Sequence, residues 1–232
     1  MSAAAIPFPA YPHEVLAVVL SVRDGELRVL LWHRTRAPHA RRWALPGGGV
    51  GPEQRLREAV NAHLADKVDV RDIAWLEQVA THSRVDRDPR GRVLATGYLA
   101  LVPPDLEPAL PHDTAWHSVA DLPPLAFDHH YFVEAAVDRL RAKLSYTNIG
   151  FALAPGEFTI SQLRTIVSAA LGYDVDATNL HRVITRRGLI APTGARSNPG
   201  HSGGRPAALY RFRHRELQVT DPFAVLRPPR AT

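Results

Sequence analysis

Apolar positions along the chain change their period several times, and each change marks a new element. Residues 13–22, HEVLAVVLSV, are a nearly continuous apolar run, the pattern of a buried strand. Asp24-Gly25 is a turn signal, and residues 26–33, ELRVLLWH, read as the second strand of a hairpin. An Arg- and His-rich loop, 34–42, leads to a short return to the sheet at 43–45. The period then becomes helical: Leu56, Ala59, Val60, His63 and Leu64 fall on one face that must pack on the sheet. Residues 73–81 and 94–102 read as further strands, separated by the charged turn 83–93, SRVDRDPRGRV. Residues 132–144, FVEAAVDRLRAKL, are amphipathic, with Val133, Ala136, Val137, Leu140 and Leu144 on one stripe. The pattern predicts a mixed sheet with helices against it over 1–145. A linker, 146–156, ends on the turn signal Pro155-Gly156.

A second pattern begins at Thr159, a candidate N-cap with Gln162 three residues on, which is a capping box. Ile160, Leu163, Ile166, Val167, Ala170 and Leu171 make the buried face of that helix, and Gly172 suits its C′ position. Asp176 caps a second helix, ATNLHRVITRR, that buries Leu180, Val183 and Ile184. Thr178, Arg182 and Arg186 recur every four residues on the opposite face, with Asn179 beside them. Two helices joined by about four residues, the second basic on its free face, fit helix-turn-helix geometry. Arginine and asparagine are also the residue types that read guanine and adenine edges. Gly188 ends the helix, and strand, glycine-rich loop (195–205) and strand follow as in a winged helix. Arg187 and Arg196 add to the candidate DNA-binding set. Arg205, in Gly204-Arg205-Pro206 at the wing tip, suits a narrow minor groove over A·T-rich DNA. The predicted class is α+β: a mixed-sheet domain (1–145), the linker, a winged helix-turn-helix domain (157–220) and a tail (221–232).

Charge sharpens this division. Residues 1–150 carry 17 basic and 18 acidic side chains, and residues 151–232 carry 11 and 5, so the whole +5 excess lies in the C-terminal third. A basic segment with interspersed apolar positions is a candidate nucleic-acid footprint; the bland alternative, a solvated tail, sits badly with two capped helices. At 232 residues the chain has room for one large or two modest domains, and 45% apolar content is ordinary. No apolar run approaches a membrane span, and MSAAAIPFPAYP lacks the basic-then-apolar order of a secretory signal. The absence of cysteine excludes disulfides and thiolate metal sites and fits a cytoplasmic protein.

The chemistry is concentrated in residues 43–70, WALPGGGVGPEQRLREAVNAHLADKVDV, read as strand, glycine loop and helix. This stretch resembles the Nudix box of hydrolases that cut nucleoside diphosphates linked to another group. With Gly48 as the motif's glycine, Gln54 stands at its first glutamate, and Ala62 and His63 at its arginine–glutamate pair. Asp66 and Lys67 occupy the paired glutamates, Asp69 the last glycine, and Leu64 and Val70 the apolar anchors. Magnesium needs several hard oxygen ligands, and positions 63, 66 and 67 share a helix face. That face offers an imidazole, one carboxylate and an ammonium, so binding without hydrolysis is the expectation. Lys67 could itself neutralise a pyrophosphate. The loop 86–92 is either a solvated hairpin tip or a set of arginines for a diphosphate. DRDPRGRV resembles the same segment in Nudix proteins that handle ADP-ribose or related nucleotides, and Trp116 followed by LPPLAFDHH (122–130) resembles their domain end. The candidate ligand-binding residues are Arg34, Arg42, Gly48, Lys67, Asp86, Arg90 and Arg92.

A worn Nudix box followed by FTISQLR, ATNLHRVITRRGLI and GRPAALYRF resembles the NrtR family of Nudix-related transcriptional regulators of NAD metabolism, over about residues 10–215. The resemblance implies a homodimer that binds a palindromic operator through paired winged helices. It implies an ADP-ribose-type effector rather than a required cofactor, and repression of NAD biosynthesis or salvage genes relieved by that nucleotide. Lys143, in the helix leading to the hinge, is a candidate for acylation. Two other classes are an active ADP-ribose pyrophosphatase, which the missing glutamates oppose, and a protein–protein module, which the split charge opposes.

Overall fold

The structure is a computed structural model that describes residues 9–197 and 206–221. The N-terminal half holds strands β1 (His13–Arg23), β2 (Glu26–His33), β3 (Trp43–Ala44) and β4 (Gly47–Gly49), helix α1 (Leu56–Val68), and strands β5 (Trp75–His82), β6 (Leu94–Leu101) and β7 (Thr114–Ser118). Helix α2 (His129–Tyr146) and a 3-10 turn (Ile149–Ala152) lead to helices α3 (Ile160–Leu171) and α4 (Ala177–Arg186) and the hairpin β8 (Ile190–Arg196) and β9 (Ala208–Phe212).

Among the described residues the first seven strands form one sheet, in the order β3-β2-β1-β6-β5, with β4 on β1 and β7 on β2. The β1–β6 pair is parallel and the other pairs are antiparallel. The apolar run of β1 is explained by burial on both faces. Its odd positions Val15, Ala17 and Val19 meet Ala59, Val60, Leu64 and Val68 of α1, while Leu16, Val18 and Leu20 share a cluster with Phe132, Val133, Ala136 and Leu140 of α2. Phe132 packs so closely on β6 that a Cβ at Gly97 would strike its ring.

One register detail creates the cleft described below. β2 pairs with β1 only along Leu20–Arg23, whereas Glu14–Leu16 of β1 pair with Gly47–Gly49 of β4. The sheet therefore forks, β2 leaving one branch and the glycine strand taking its place. Most predicted elements appear within a residue or two of their expected ends, which is the ordinary uncertainty of element boundaries. α2 is longer than the 132–144 stripe, beginning at His129 directly after Asp128. β7 is an additional strand, too short and too mixed to declare itself by alternation.

The segment 146–156 is not an exposed linker. Ile149, Phe151, Ala152, Leu153 and Ala154 are buried, and they belong to the same apolar cluster as the sheet face and Leu163, Ile166, Leu180 and Ile184 of the C-terminal helices. Asn148 fixes the turn, donating to the His214 and Glu216 carbonyls and accepting from Gln218 N–H. The turn signal Pro155-Gly156 gave the linker reading, but the apolar residues before it serve as a shared core. Of the tail, only Asp221 lies within the described residues.

Candidate functional site: a forked-sheet cleft and a basic helix

At the fork in the sheet lies a cleft of about 540 Å³, with Glu14, Trp32, Arg34, Lys67, Arg90, Phe127 and His129 in its walls and Gly47–Gly49 along one side. The glycines are there for space: a Cβ at Gly47 would stand 2.1 Å from the Val15 carbonyl, and one at Gly48 would strike the His63 ring. Trp32 is oriented by its indole N–H, which donates to the Leu45 carbonyl at 3.1 Å. The Arg34 guanidinium lies 4.9 Å over the Phe127 ring and donates to the Pro38 carbonyl. Arg90 approaches the same ring from 5.6 Å, its guanidinium gripped by Asp88. Lys67 donates to the Gly47 carbonyl, with the Trp32 ring 5.9 Å away.

The cleft is electrostatically short of anions. Desolvation and the neighbouring Arg34 charge lower the Lys67 pKa, with Glu14 opposing them in part. Desolvation and Arg90 act in the same direction on Arg34. Like charges held this close against aromatic walls are relieved by a bound polyanion.

The helix positions that would carry a divalent metal do not fit one. α1 runs from Leu56, its start held by the Glu58 carboxylate accepting from Arg55 N–H at 3.1 Å. His63 donates through Nε2 to the Gly49 carbonyl, Lys67 occupies the Gly47 carbonyl, and Gln54 accepts from Gly51 N–H. Among the described residues no group of three His, Asp or Glu side chains is placed to hold an ion. An ammonium and an imidazole engaged with backbone carbonyls cannot act as hard anionic ligands. Asp69, at the motif's last glycine, retains that glycine's left-handed backbone with φ 52°, and its carboxylate accepts from Arg71 and Ala109 N–H. The left-handed turn is kept at this position.

The loop 86–92 divides its arginines. Arg90 reaches the cleft. Arg87, which sequence reasoning passed over, is fully enclosed and anchors the loop: it donates to Glu14 at 2.7 Å and to both Asp128 oxygens at 2.8 and 2.9 Å. His82 Nδ1 donates to the same Asp128 at 2.6 Å and its ring stacks on Tyr131. Burial alone would raise the Asp128 carboxyl, but the Arg87 and His82 contacts outweigh it and hold the group below the ordinary carboxylate range. Asp86 pairs with the exposed Arg84 and stands outside the cleft, beside a neighbouring recess with Arg87 and Asp128. Arg92 packs on Tyr11 at the far side of the loop. Arg42 donates to the Leu125 carbonyl and is also outside the cleft walls. Of the predicted ligand set, the structure brings together Arg34, Gly48, Lys67 and Arg90. It adds Glu14, Trp32, Phe127 and His129, whose positions in two strands, a loop and the first residue of α2 carried no polar spacing to find them by.

The second surface is on α3 and α4. Thr159 and Gln162 cap α3 reciprocally, Gly172 ends it at φ 80°, and Asp176 caps α4 by accepting from Asn179 N–H at 2.7 Å. Leu180 and Ile184 turn inward, leaving Thr178, Asn179, Arg182 and Arg186 exposed on one face. Arg182 is steadied by Asn179 Oδ1 at 2.7 Å. Arg187 departs from the predicted DNA-binding set: it is turned back, donating to the Ser145 carbonyl and to Asp221 at 2.9 Å. As the residue after the last turn it projects toward the body, not along the free face. Arg196 is exposed at the base of the wing and donates to the Pro206 carbonyl. Arg205 lies outside the described residues. Arg211 is a further exposed cation of the winged domain, on β9.

Residues 12–136 match the NUDIX domain family, and residues 150–212 match the NrtR DNA-binding winged helix domain. A relative from Acinetobacter baylyi, described as an ADPR responsive transcriptional repressor, is 34% identical over 212 residues, covering 87% of this chain and 83% of its own. The chain belongs to the NrtR family. The crystal structure of Shewanella oneidensis NrtR complexed with a 27mer DNA superposes with a TM-score of 0.75 at 30% identity, covering 86% of this chain and 93% of that one. The NUDIX domain of the same protein, complexed with ADP ribose, gives a TM-score of 0.52 at 34% identity, covering 57% of this chain and 90% of that one.

In this NrtR-family chain Lys143 is not displayed for acylation. Its side chain is 11% exposed, and Nζ pairs with Glu77 at 3.1 Å while lying over the Trp75 ring. Arg139 and the Trp75 indole also donate to Glu77, at 2.6 and 3.0 Å. Burial would raise the Glu77 carboxyl, and these contacts more than reverse it. Lys143 is on the predicted helix, but β5 closes over it. Among the described residues no helix is long and apolar enough to cross a membrane.

Proposed function

We propose that this protein is a transcriptional repressor whose Nudix-type domain binds ADP-ribose or a close relative without hydrolysing it, and whose winged helix binds operator DNA. The carrying observation is the exchange of chemistry at one site: the metal-ligand face of α1 holds His63 and Lys67, both bound to the glycine strand, beside a cleft rich in Arg34, Arg90 and aromatic rings. Such a site attracts a diphosphate and offers no anionic cradle for the ion that would activate water on it. The DNA-bound and ADP-ribose-bound relatives support the pairing of these two activities.

Coupling has a direct physical route. α3 packs on the β1–β2 hairpin and on α2, inside the cluster that also holds the 146–156 turn. A ligand entering where β2 parts from β1 favours one setting of that hairpin, and α3 carries the change to α4. By linkage, DNA and nucleotide then weaken one another. The protein acts as a homodimer on a palindromic, A·T-rich operator, with recognition helices one DNA turn apart. It needs no cofactor beyond its effector.

The test is operator binding by the purified chain, with and without ADP-ribose, while AMP release is followed in the presence of magnesium. DNA released by ADP-ribose with no AMP supports the reading. AMP formation without specific DNA binding would establish a divergent hydrolase instead.

A further inference from the structure

His129, the first residue of α2, is 3% exposed and lines the cleft. Its Nδ1 accepts a hydrogen bond from Leu45 N–H at 3.0 Å, and burial pushes its pKa down to about 3. The ring is therefore neutral near pH 7. A neutral imidazole whose Nδ1 accepts must carry its proton on Nε2. Nε2 has no hydrogen-bond partner among the described residues, yet it is not one of the sealed, unpartnered polar atoms, which belong to Ser21, Arg23, Arg28 and His117. The ring belongs to one of the residues lining the cleft.

We infer that His129 is a specificity-determining donor whose Nε2–H bonds a phosphate oxygen of the bound nucleotide. The inference rests on the nucleotide-binding reading of the same cleft and names the contact that orients the ligand in it. Three features of the site favour a phosphate oxygen. Arg34 and Arg90 line the same cleft as the imidazole. The ring sits in the first turn of an 18-residue helix, whose dipole favours negative charge at that end. Finally, Leu45 holds two cleft walls at once, its N–H on His129 and its carbonyl on Trp32, so donor and aromatic wall are set as a unit. A buried neutral donor cannot reverse its polarity as an exposed histidine could. It accepts only a ligand that presents an acceptor.

Two substitutions separate the roles of the ring nitrogens. Asparagine places its amide oxygen near the position of Nδ1, so His129→Asn keeps the Leu45 contact and removes the cleft donor. His129→Gln places its amide near Nε2 and restores the donor, losing stability because Leu45 N–H is left unpaired. Calorimetry with ADP-ribose and with ADP, thermal unfolding, and ¹⁵N NMR of the histidine rings form the experiment. The expected result is a neutral ring protonated on Nε2 whose resonance moves on adding either ligand. His129→Asn should bind ADP-ribose about tenfold or more weakly, as for loss of a hydrogen bond to a charged group, while unfolding cooperatively; His129→Gln should bind within about threefold of the parent. Wild-type binding with an unaffected His129→Asn, or a ring protonated on Nδ1, overturns the donor assignment and leaves nucleotide sensing standing. A wild-type protein that binds neither ligand overturns both.

Discussion

Removing Arg87 tests whether the fork in the sheet is held by a charge network. The Arg87 side chain is wholly enclosed and neutralises Glu14 and Asp128, themselves 21% and 15% exposed, through contacts of 2.7–2.9 Å. In Arg87→Ala two poorly solvated carboxylates lose their shared cation, a defect that costs about 3–5 kcal/mol. In a chain of this length each kcal/mol lowers Tm by about 2–4 °C, so a fall of roughly 10 °C is expected. The pH dependence gives a sharper signature. In the parent, the Asp128 pKa is depressed, so its contribution is present above the unfolded carboxylate range and is lost as pH falls through the lower folded value. In the variant the Arg87 contacts that lower it are gone and burial is opposed chiefly by His82, so the folded pKa rises and acidification costs the variant less than the parent. Urea unfolding of both proteins at pH 7.5 and pH 5 measures this. A loss under about 1 kcal/mol, or one independent of pH, would refute the network as the anchor of the 86–92 loop. The same variant should also bind ADP-ribose more weakly, because Arg90 is positioned by that loop.

Three further outcomes follow from the placement of side chains. Arg186→Ala should weaken DNA binding about tenfold and lower the salt slope by about 1, whereas Arg187→Ala should leave the slope unchanged and lower stability instead; equal slopes for both would place Arg187 on the DNA after all. Lys143→Gln should destabilise by about 1.5–3 kcal/mol through loss of the Glu77 contact, measured by urea unfolding, with operator affinity of the folded protein within about twofold of the parent. An altered operator affinity at unchanged stability would restore a regulatory role for that lysine. Gly97→Ala should cost about 1–3 kcal/mol by overpacking Phe132, and a neutral result would mean that α2 can lift from the sheet without penalty.

How far the chain was legible depends on whether a signal was local. Caps and turns are properties of a few adjacent residues, and Thr159, Gln162, Gly172 and Asp176 do in space what their spacing predicts. The apolar run of β1 and the α4 periodicity were equally plain, because strand and helix faces are fixed by chain geometry alone, whereas the register that sets Gln54, His63 and Lys67 at a motif's glutamates came from the resemblance to the Nudix box. These sufficed for the α+β class, the two functional halves and the family. What the sequence could not supply was which distant side chains meet. Arg87, Arg90, Asp86 and Arg92 are equivalent letters in one charged turn. Only the approach of β1 and of Asp128 decides that the first is buried, the second faces the cleft and the others turn away. Lys143 and Arg187 lie on helical positions that look free until β5 and Asp221 cover them. His129 appears as one of two adjacent histidines, and it gains a fixed tautomer only when Leu45, 84 residues earlier, supplies its N–H. Local propensity sets elements within a few residues, whereas burial, pairing and protonation arise from long-range contacts that exist only once the sheet has forked and the helices have closed on it.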